Sequence, residues 1–252
     1  MTTSSLTILT GASRGMGLAM AQQLLKPGAH LLCISRTTND SLTQLAQARG
    51  AVLEQWSADL ADAAPVAARL AQWLAALDPT QWASASLINN AGVIPAITPL
   101  RDNTASDLAN ALRVGLEAPM QLCAAFLNAT QAWTVPRKVL NISSGLGRRA
   151  MASSGPYCAA KAGMDHFTRC LALDEALQAN GAKVCSLAPG VIDTDMQVQL
   201  RGADPQAFPD IGNFAGLHAQ GLLASPEEAA RRVLAYLARA DFGANAVADV
   251  RD

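Results

Sequence analysis

Short β-rich runs alternate with longer helical patterns along almost the whole chain. Residues 6–10, 30–35, 52–57, 86–89, 138–143 and 183–188 read as strands, with a last one near 246–250. Helical stretches fall between them at 15–25, 41–49, 63–77, 104–132 and 157–180, and a charged one follows at 226–240. This alternation leaves few folds open. Parallel neighbours need a crossover, the crossover is right-handed, and its helix must cover the sheet. The expected fold is α/β, a doubly wound parallel sheet with helices on both faces. A chain of 252 residues, 50% of them hydrophobic, can bury such a core, and no repeat or linker divides it. Residues 1–252 are therefore read as one domain. The stretch 193–224 breaks the rhythm, with Gly202, Pro205, Pro209, Gly212, Gly216 and Gly221 and no strand. An insertion of this length in a compact domain is expected to be a lid or substrate loop.

The charge balance excludes some partners. A net charge of −1 gives no basic surface for nucleic acid or an anionic membrane. Cys33, Cys123, Cys158, Cys170 and Cys185 are odd in number and lack CxxC spacing, as expected of reduced core residues in a cytoplasmic protein. Residues 1–5 are polar without a basic leader, and no apolar run reaches transmembrane length. His30, His166 and His218 share no ligand spacing, so no metal is expected.

The chemistry sits in motifs at the strand ends. "LTGASRGMG" (9–17) follows the first strand and opens the first helix. Glycines there let backbone approach a phosphate, and the helix N-terminus offers N–H groups and a positive dipole. The spacing is GxxxGxG, not the common GxGxxG, and alone it could be an ordinary tight turn. It is joined by "NNAG" (89–92), "NISS" (141–144), "YCAAK" (157–161) and "APGVIDT" (188–194). In order and spacing these resemble the short-chain dehydrogenase/reductase family across nearly the whole chain. The resemblance implies a Rossmann-type fold with a seven-stranded parallel sheet and nicotinamide-dependent chemistry on a carbonyl/alcohol pair. It also implies cofactor contacts at Gly11, Ser13, Arg14, Gly15, Met16 and Gly17 in the first turn. Further contacts are implied at Asp59 and Leu60 after the third strand, at Asn90, Ala91 and Gly92, at Tyr157 and Lys161, and at Pro189, Gly190, Ile192 and Thr194. Asp59 equally suits a helix N-cap.

NAD-selective enzymes of this fold usually carry an acidic residue near the end of the second strand, for the ribose 2′-OH. Here that strand ends in Ser35 and Arg36. A serine and an arginine favour a 2′-phosphate, because guanidinium matches phosphate geometry. The resemblance gives Arg14 the same role, so the expected cofactor is NADP(H).

Tyr157 and Lys161 are four residues apart at the start of a helix and share a face. A nearby ammonium, together with the charge of an oxidised nicotinamide, is expected to lower the tyrosine pKa and fit it for proton transfer to and from the substrate oxygen. Strand alternation lets only one of Ser143 and Ser144 face the cleft. The resemblance places the catalytic serine thirteen positions before the tyrosine, which selects Ser144. The family's usual asparagine, which helps hold a relay water, is replaced by Gly115 in "VGLEAP" (114–119). A glycine in a widened helix turn could leave room for water held by backbone carbonyls.

Among family branches, "APGVIDTDMQ", "YCAAKA" and "LALDE" look most like sepiapterin reductase, a branch that includes bacterial reductases of aromatic 1,2-diketones such as benzil. The resemblance makes Asp249 an anchor for an amino-pterin ring, or else a polar residue after the last strand. Leu146, Met151, Met196, Phe208 and Phe214 could wall an apolar pocket or be ordinary core, and Arg148 and Arg149 could meet an acidic group or sit in a solvated loop. The expected activity is carbonyl reduction on a small molecule, against a catalytically silent NADP-binding sensor as the contrasting class. The helices over 104–132 and 157–180 resemble the family's dimer-forming pair, implying a homodimer or homotetramer.

Overall fold

The structure, a computed structural model, describes residues 4–252. Its strands are β1 (Ser4–Thr10), β2 (Ala29–Ser35), β3 (Val52–Ser57), β4 (Trp82–Asn89), β5 (Arg137–Ile142), β6 (Lys183–Ala188) and β7 (Val247–Asp249). They form one seven-stranded sheet in the order β3-β2-β1-β4-β5-β6-β7, every neighbouring pair parallel. The winding reverses between β1 and β4, and in such sheets a crevice opens there at the carboxyl ends of the strands.

Both sheet faces are covered, so the central strands are apolar without interruption. In β2, Leu31 and Cys33 pack beneath α1 (Gly15–Leu24), α2 (Asp40–Arg49) and α9 (Pro226–Ala238). Leu32 and Ile34 face the other way, toward α3 (Ala63–Ala75) and the helices that follow it. Among the described residues no helix is long and apolar enough to cross a membrane.

The helix expected over 104–132 is divided into α4 (Ala105–Leu112), a π turn (Arg113–Glu117) and α5 (Ala118–Ala129). Pro119 has no N–H to give to the Gly115 carbonyl one turn earlier, and the helix widens. The Ala118 N–H donates to the Arg113 carbonyl, five residues back. The widened turn lies against α6 (Gly155–Ala176). A Cβ at Gly115 would stand 2.9 Å from that of Ala160, and one at Gly163 would stand 2.9 Å from a methyl of Leu116. The two glycines therefore let the turn and α6 interlock.

The 193–224 stretch holds two helices, α7 (Asp195–Arg201) and α8 (Ile211–Ala219), between the prolines and glycines that hide their period. Its ends are fastened together by a bridge between Ile192 and Ala224. The Asp193 N–H donates to the Ala224 carbonyl at 2.9 Å, and the Ala224 N–H to that of Val191 at 3.0 Å. Underneath, Leu200 and Phe208 pack on Met151, and Phe208 stacks on Phe214 with ring centroids 5.7 Å apart.

Candidate active site

A cleft of about 920 Å³ runs along the carboxyl ends of the strands. Every residue expected at the cofactor lines it, from Gly11 to Thr194. The first turn is built around close backbone approach. A Cβ at Gly17 would lie 1.9 Å from the Gly11 carbonyl oxygen, and one at Gly11 (φ +70°) would lie 2.8 Å from the Ala91 Cα. "NNAG" holds this turn from the next strand. Asn90 Nδ2 donates to the carbonyls of Thr10 (3.0 Å) and Gly11 (3.1 Å), and Thr10 Oγ1 accepts from the N–H groups of Asn90 and Ala91 at 3.0 Å. Ser35 Oγ accepts from the Ala12 N–H at 2.8 Å, so this serine supports the turn. These bonds leave a cradle of backbone that fits a pyrophosphate at a helix N-terminus.

Arg36 is exposed on the cleft and pairs with no carboxylate among the described residues. Arg14 pairs with Asp195 at the start of α7, 2.8 Å apart, both side chains largely exposed (70% and 76%). The ion pair spans the cleft between the glycine turn and the insertion. Asp59 lines the cleft and also accepts from the Ala61 N–H at 2.9 Å, so the N-cap role is realised.

Ser144, Tyr157 and Lys161 line the same cleft. Ser144 follows β5, and its Oγ accepts from the Leu146 N–H at 3.1 Å. Ser143 also lines the cleft, but its Oγ is buried without a hydrogen-bond partner among the described residues. Tyr157 is 8% exposed. Burial pushes its phenol up, and hydrogen bonding with Ser144 only partly opposes this. Lys161 Nζ lies 5.8 Å from the Tyr157 ring centroid and donates to the Ile142 carbonyl at 2.7 Å. Burial brings the lysine down to about 8, against the pull of Asp165 one helical turn on. Asp165 is itself buried, accepting from Ser186 Oγ at 2.7 Å with Arg148 Nε 3.9 Å away. Its i,i+4 spacing from Lys161 was the signal for it in the sequence.

Of the residues expected at the substrate, Leu146, Met196 and Phe214 line the cleft, with Ile94 and Leu200 in addition. Met151 and Phe208 are buried behind this wall, where the insertion packs on the 145–154 loop, and do not line the cleft. Asp249 lines it, but Arg251 grips both its oxygens, at 2.6 Å each. That pairing holds the carboxyl below its usual range. Arg149 lines the cleft, whereas Arg148 turns to Asp165 and Asp249.

A sheet of this order, a phosphate cradle at its switch point and a Ser–Tyr–Lys cluster define a Rossmann-type oxidoreductase. The short chain dehydrogenase family model matches residues 5–204, and the chain belongs to the short-chain dehydrogenase/reductase family, whose members use a nicotinamide cofactor. It is 34% identical over 235 residues to a benzil reductase ((S)-benzoin forming) of Bacillus cereus, covering 93% of this chain and 94% of that one. It is 31% identical over 258 residues to the sepiapterin reductase of Rattus norvegicus, covering 97% and 95%. Among solved structures, an Agrobacterium tumefaciens dehydrogenase with bound NADP is 25% identical, with a TM-score of 0.77 over 98% of this chain and 94% of that one.

Proposed function

We propose that the chain is an NADPH-dependent carbonyl reductase whose substrates are aromatic vicinal diketones. The observation that carries this reading is a buried tyrosine lining, with Ser144 and Lys161, the same cleft as a phosphate cradle. A buried tyrosine with a raised pKa stays neutral at physiological pH, which is the form that can give a proton. A nicotinamide cofactor, when bound, supplies the hydride to the carbonyl carbon. Ser144 donates a hydrogen bond to the carbonyl oxygen, and Tyr157 passes its proton to that oxygen. One hydride and one proton thus convert the ketone to an alcohol. Lys161, fixed on the Ile142 carbonyl, holds positive charge beside the phenol and reaches the cofactor ribose, as the family resemblance implies.

NADPH is the preferred cofactor because β2 ends without a carboxylate and presents Arg36 to the cleft. Arg14 is available too: exposed ion pairs contribute only about 0–1 kcal/mol, so a phosphate can draw it from Asp195. The benzil reductase of B. cereus supports the diketone class, and so does the apolar wall. A pterin substrate is the second reading, favoured by the similarity to sepiapterin reductase and by Asp249 in the cleft lining. It would have to displace Arg251 from that carboxylate. The free cysteines suit a reducing, cytoplasmic setting. Exposed Leu112, Met120 and Leu173 on α4, α5 and α6, with Leu177 just after α6, suit a homodimer or homotetramer.

The test is cofactor consumption with NADPH or NADH and a panel of benzil, sepiapterin and a simple aromatic ketone. The expected result is fastest consumption of NADPH with benzil. Equal use of NADH would overturn the cofactor assignment, and bound NADPH that reacts with no carbonyl would make the chain a sensor.

A further inference from the structure

A buried carboxylate stands one helical turn beyond the lysine of the catalytic cluster. Asp165 is 1% exposed, and Lys161, four residues earlier on α6, is 4% exposed. Each is fixed to the sheet. Lys161 Nζ donates to the Ile142 carbonyl of β5 at 2.7 Å, and Ser186 Oγ of β6 donates to Asp165 Oδ1 at 2.7 Å. Ser186 lies in register with Asn141, the residue before Ile142, so the two side chains are held at adjoining points of neighbouring strands. Asp165 Oδ2 has no hydrogen-bond partner among the described residues. The 145–154 loop closes over it. A Cβ at Gly147 would stand 2.8 Å from Asp165 Oδ2 and 3.0 Å from the Lys161 carbonyl oxygen.

The charges around this carboxylate are few. Arg148 Nε is 3.9 Å from Asp165 Oδ2, and Arg148 Nη2 is 3.9 Å from Asp249 Oδ2 of β7. Arg148 therefore lies between two carboxylates, the second of them also held by Arg251. On β6, burial pushes the Cys185 thiol up to about 11, so it is neutral. The π turn keeps Arg113 and Glu117 exposed, and Asp107 of α4 accepts from Thr104 Oγ1 at the start of its own helix. His166 and Arg169 on α6 are exposed. A buried carboxylate needs a positive partner. With Arg148 shared, Lys161 is the other cation in place.

We propose that Asp165 is a positioning residue that holds the charge on Lys161, and that Arg148 sets how much of that hold the lysine receives. The inference rests on the carbonyl-reductase reading, in which a positive Lys161 stands beside the phenol. Asp165 lies behind the lining of the cleft and acts through the lysine. Its attraction opposes the effect of burial on Lys161. Asp165→Asn keeps the shape and an acceptor for Ser186 but removes the charge, so Lys161 gives up its proton at lower pH. Arg148→Gln leaves Asp165 to Lys161 alone, so the lysine keeps its proton to higher pH.

Wild type and the two variants are compared in two pH series: kcat/KM for benzil with NADPH, and thermal unfolding without cofactor. The expected result for Asp165→Asn is an alkaline fall in kcat/KM that begins about one pH unit or more lower, about tenfold in proton affinity, with NADPH still bound. The pH range over which stability rises should open lower as well, because the folded chain releases the proton sooner. Arg148→Gln should move both features upward. A purely structural role would lower stability at every pH and move neither. A folded Asp165→Asn in which either series stays at the wild-type pH overturns the proposal. Should that variant not fold, Arg148→Gln decides, and a fall that is unmoved or lowered rejects the hold. Wild-type protein that binds NADPH and reduces no carbonyl overturns the reductase reading, and the unfolding series then decides whether Asp165 holds the charge on Lys161.

Discussion

Burial acts on Tyr157 and Lys161 in opposite senses, raising the phenol and lowering the ammonium to about 8. The phenol keeps its proton near neutrality, whereas the lysine surrenders its charge slightly above it. Between about 8 and the ordinary lysine value of 10.5, the unfolded chain binds this proton and the folded chain does not. Stability rises with pH wherever the unfolded state binds more protons, so the contribution of Lys161 to stability grows across that window. Below it, the buried charge costs stability. Turnover moves the other way, because the charge beside the phenol is lost. Carbonyl reduction is expected to decline above about pH 8 without loss of fold; a rate flat from about pH 7 to about pH 10 would contradict this role for Lys161. The two serines separate just as clearly. Ser144→Ala removes a donor at the reacting oxygen and is expected to lower kcat about a hundredfold or more. Ser143→Ala removes a buried hydroxyl that bonds nothing, and should leave kcat and stability nearly as they were. A larger effect from Ser143 would reverse the assignment.

At the scale of elements, the motifs of the sequence prove to be braces between neighbouring strands and helices. Asn89 Nδ2 donates to Asn141 Oδ1, and Asn141 Nδ2 to Thr168 Oγ1, each at 2.9 Å, which ties β4 to β5 and β5 to α6. "NNAG" and "NISS" thus have a structural reason to occur together. The π turn is braced by contact alone. Filling Gly115 with a methyl group sets it against Ala160, between Tyr157 and Lys161 on α6. Overpacking costs about 1–3 kcal/mol, and the gain in helix propensity returns at most about 1. Gly115→Ala should therefore destabilise, and Ala160→Gly in the same chain should recover part of the loss. A double-mutant cycle by denaturant unfolding is expected to give a coupling above about 0.5 kcal/mol. Strict additivity would show that the two positions do not touch. The sequence marked Gly115 as the place of a missing asparagine and as a glycine in a helix turn that could widen. Pro119, which widens the turn, stood four residues on in the same hexapeptide.

For the whole molecule, the order of elements and most of the cofactor cleft were legible in the sequence. Strand periodicity and turn glycines act over a few residues, so they survive in one dimension. Met151 was misplaced because methionine suits a core and a pocket wall alike, and only the packing of Leu200 and Phe208 decides. The grip of Arg251 on Asp249 was open to sequence reasoning two residues away, yet the resemblance drew Asp249 toward a substrate role. The helices α7 and α8 were hidden by the glycines and prolines around them. The central claim is that these parts form a cleft in which Tyr157 protonates a carbonyl as it is reduced with NADPH. The most direct measurement compares wild type with Tyr157→Phe for NADPH binding and for single-turnover reduction of benzil. Both proteins are expected to bind NADPH alike, with the variant slower by roughly a hundredfold to ten-thousandfold. A Tyr157→Phe protein that reduces benzil at the wild-type rate would contradict the account.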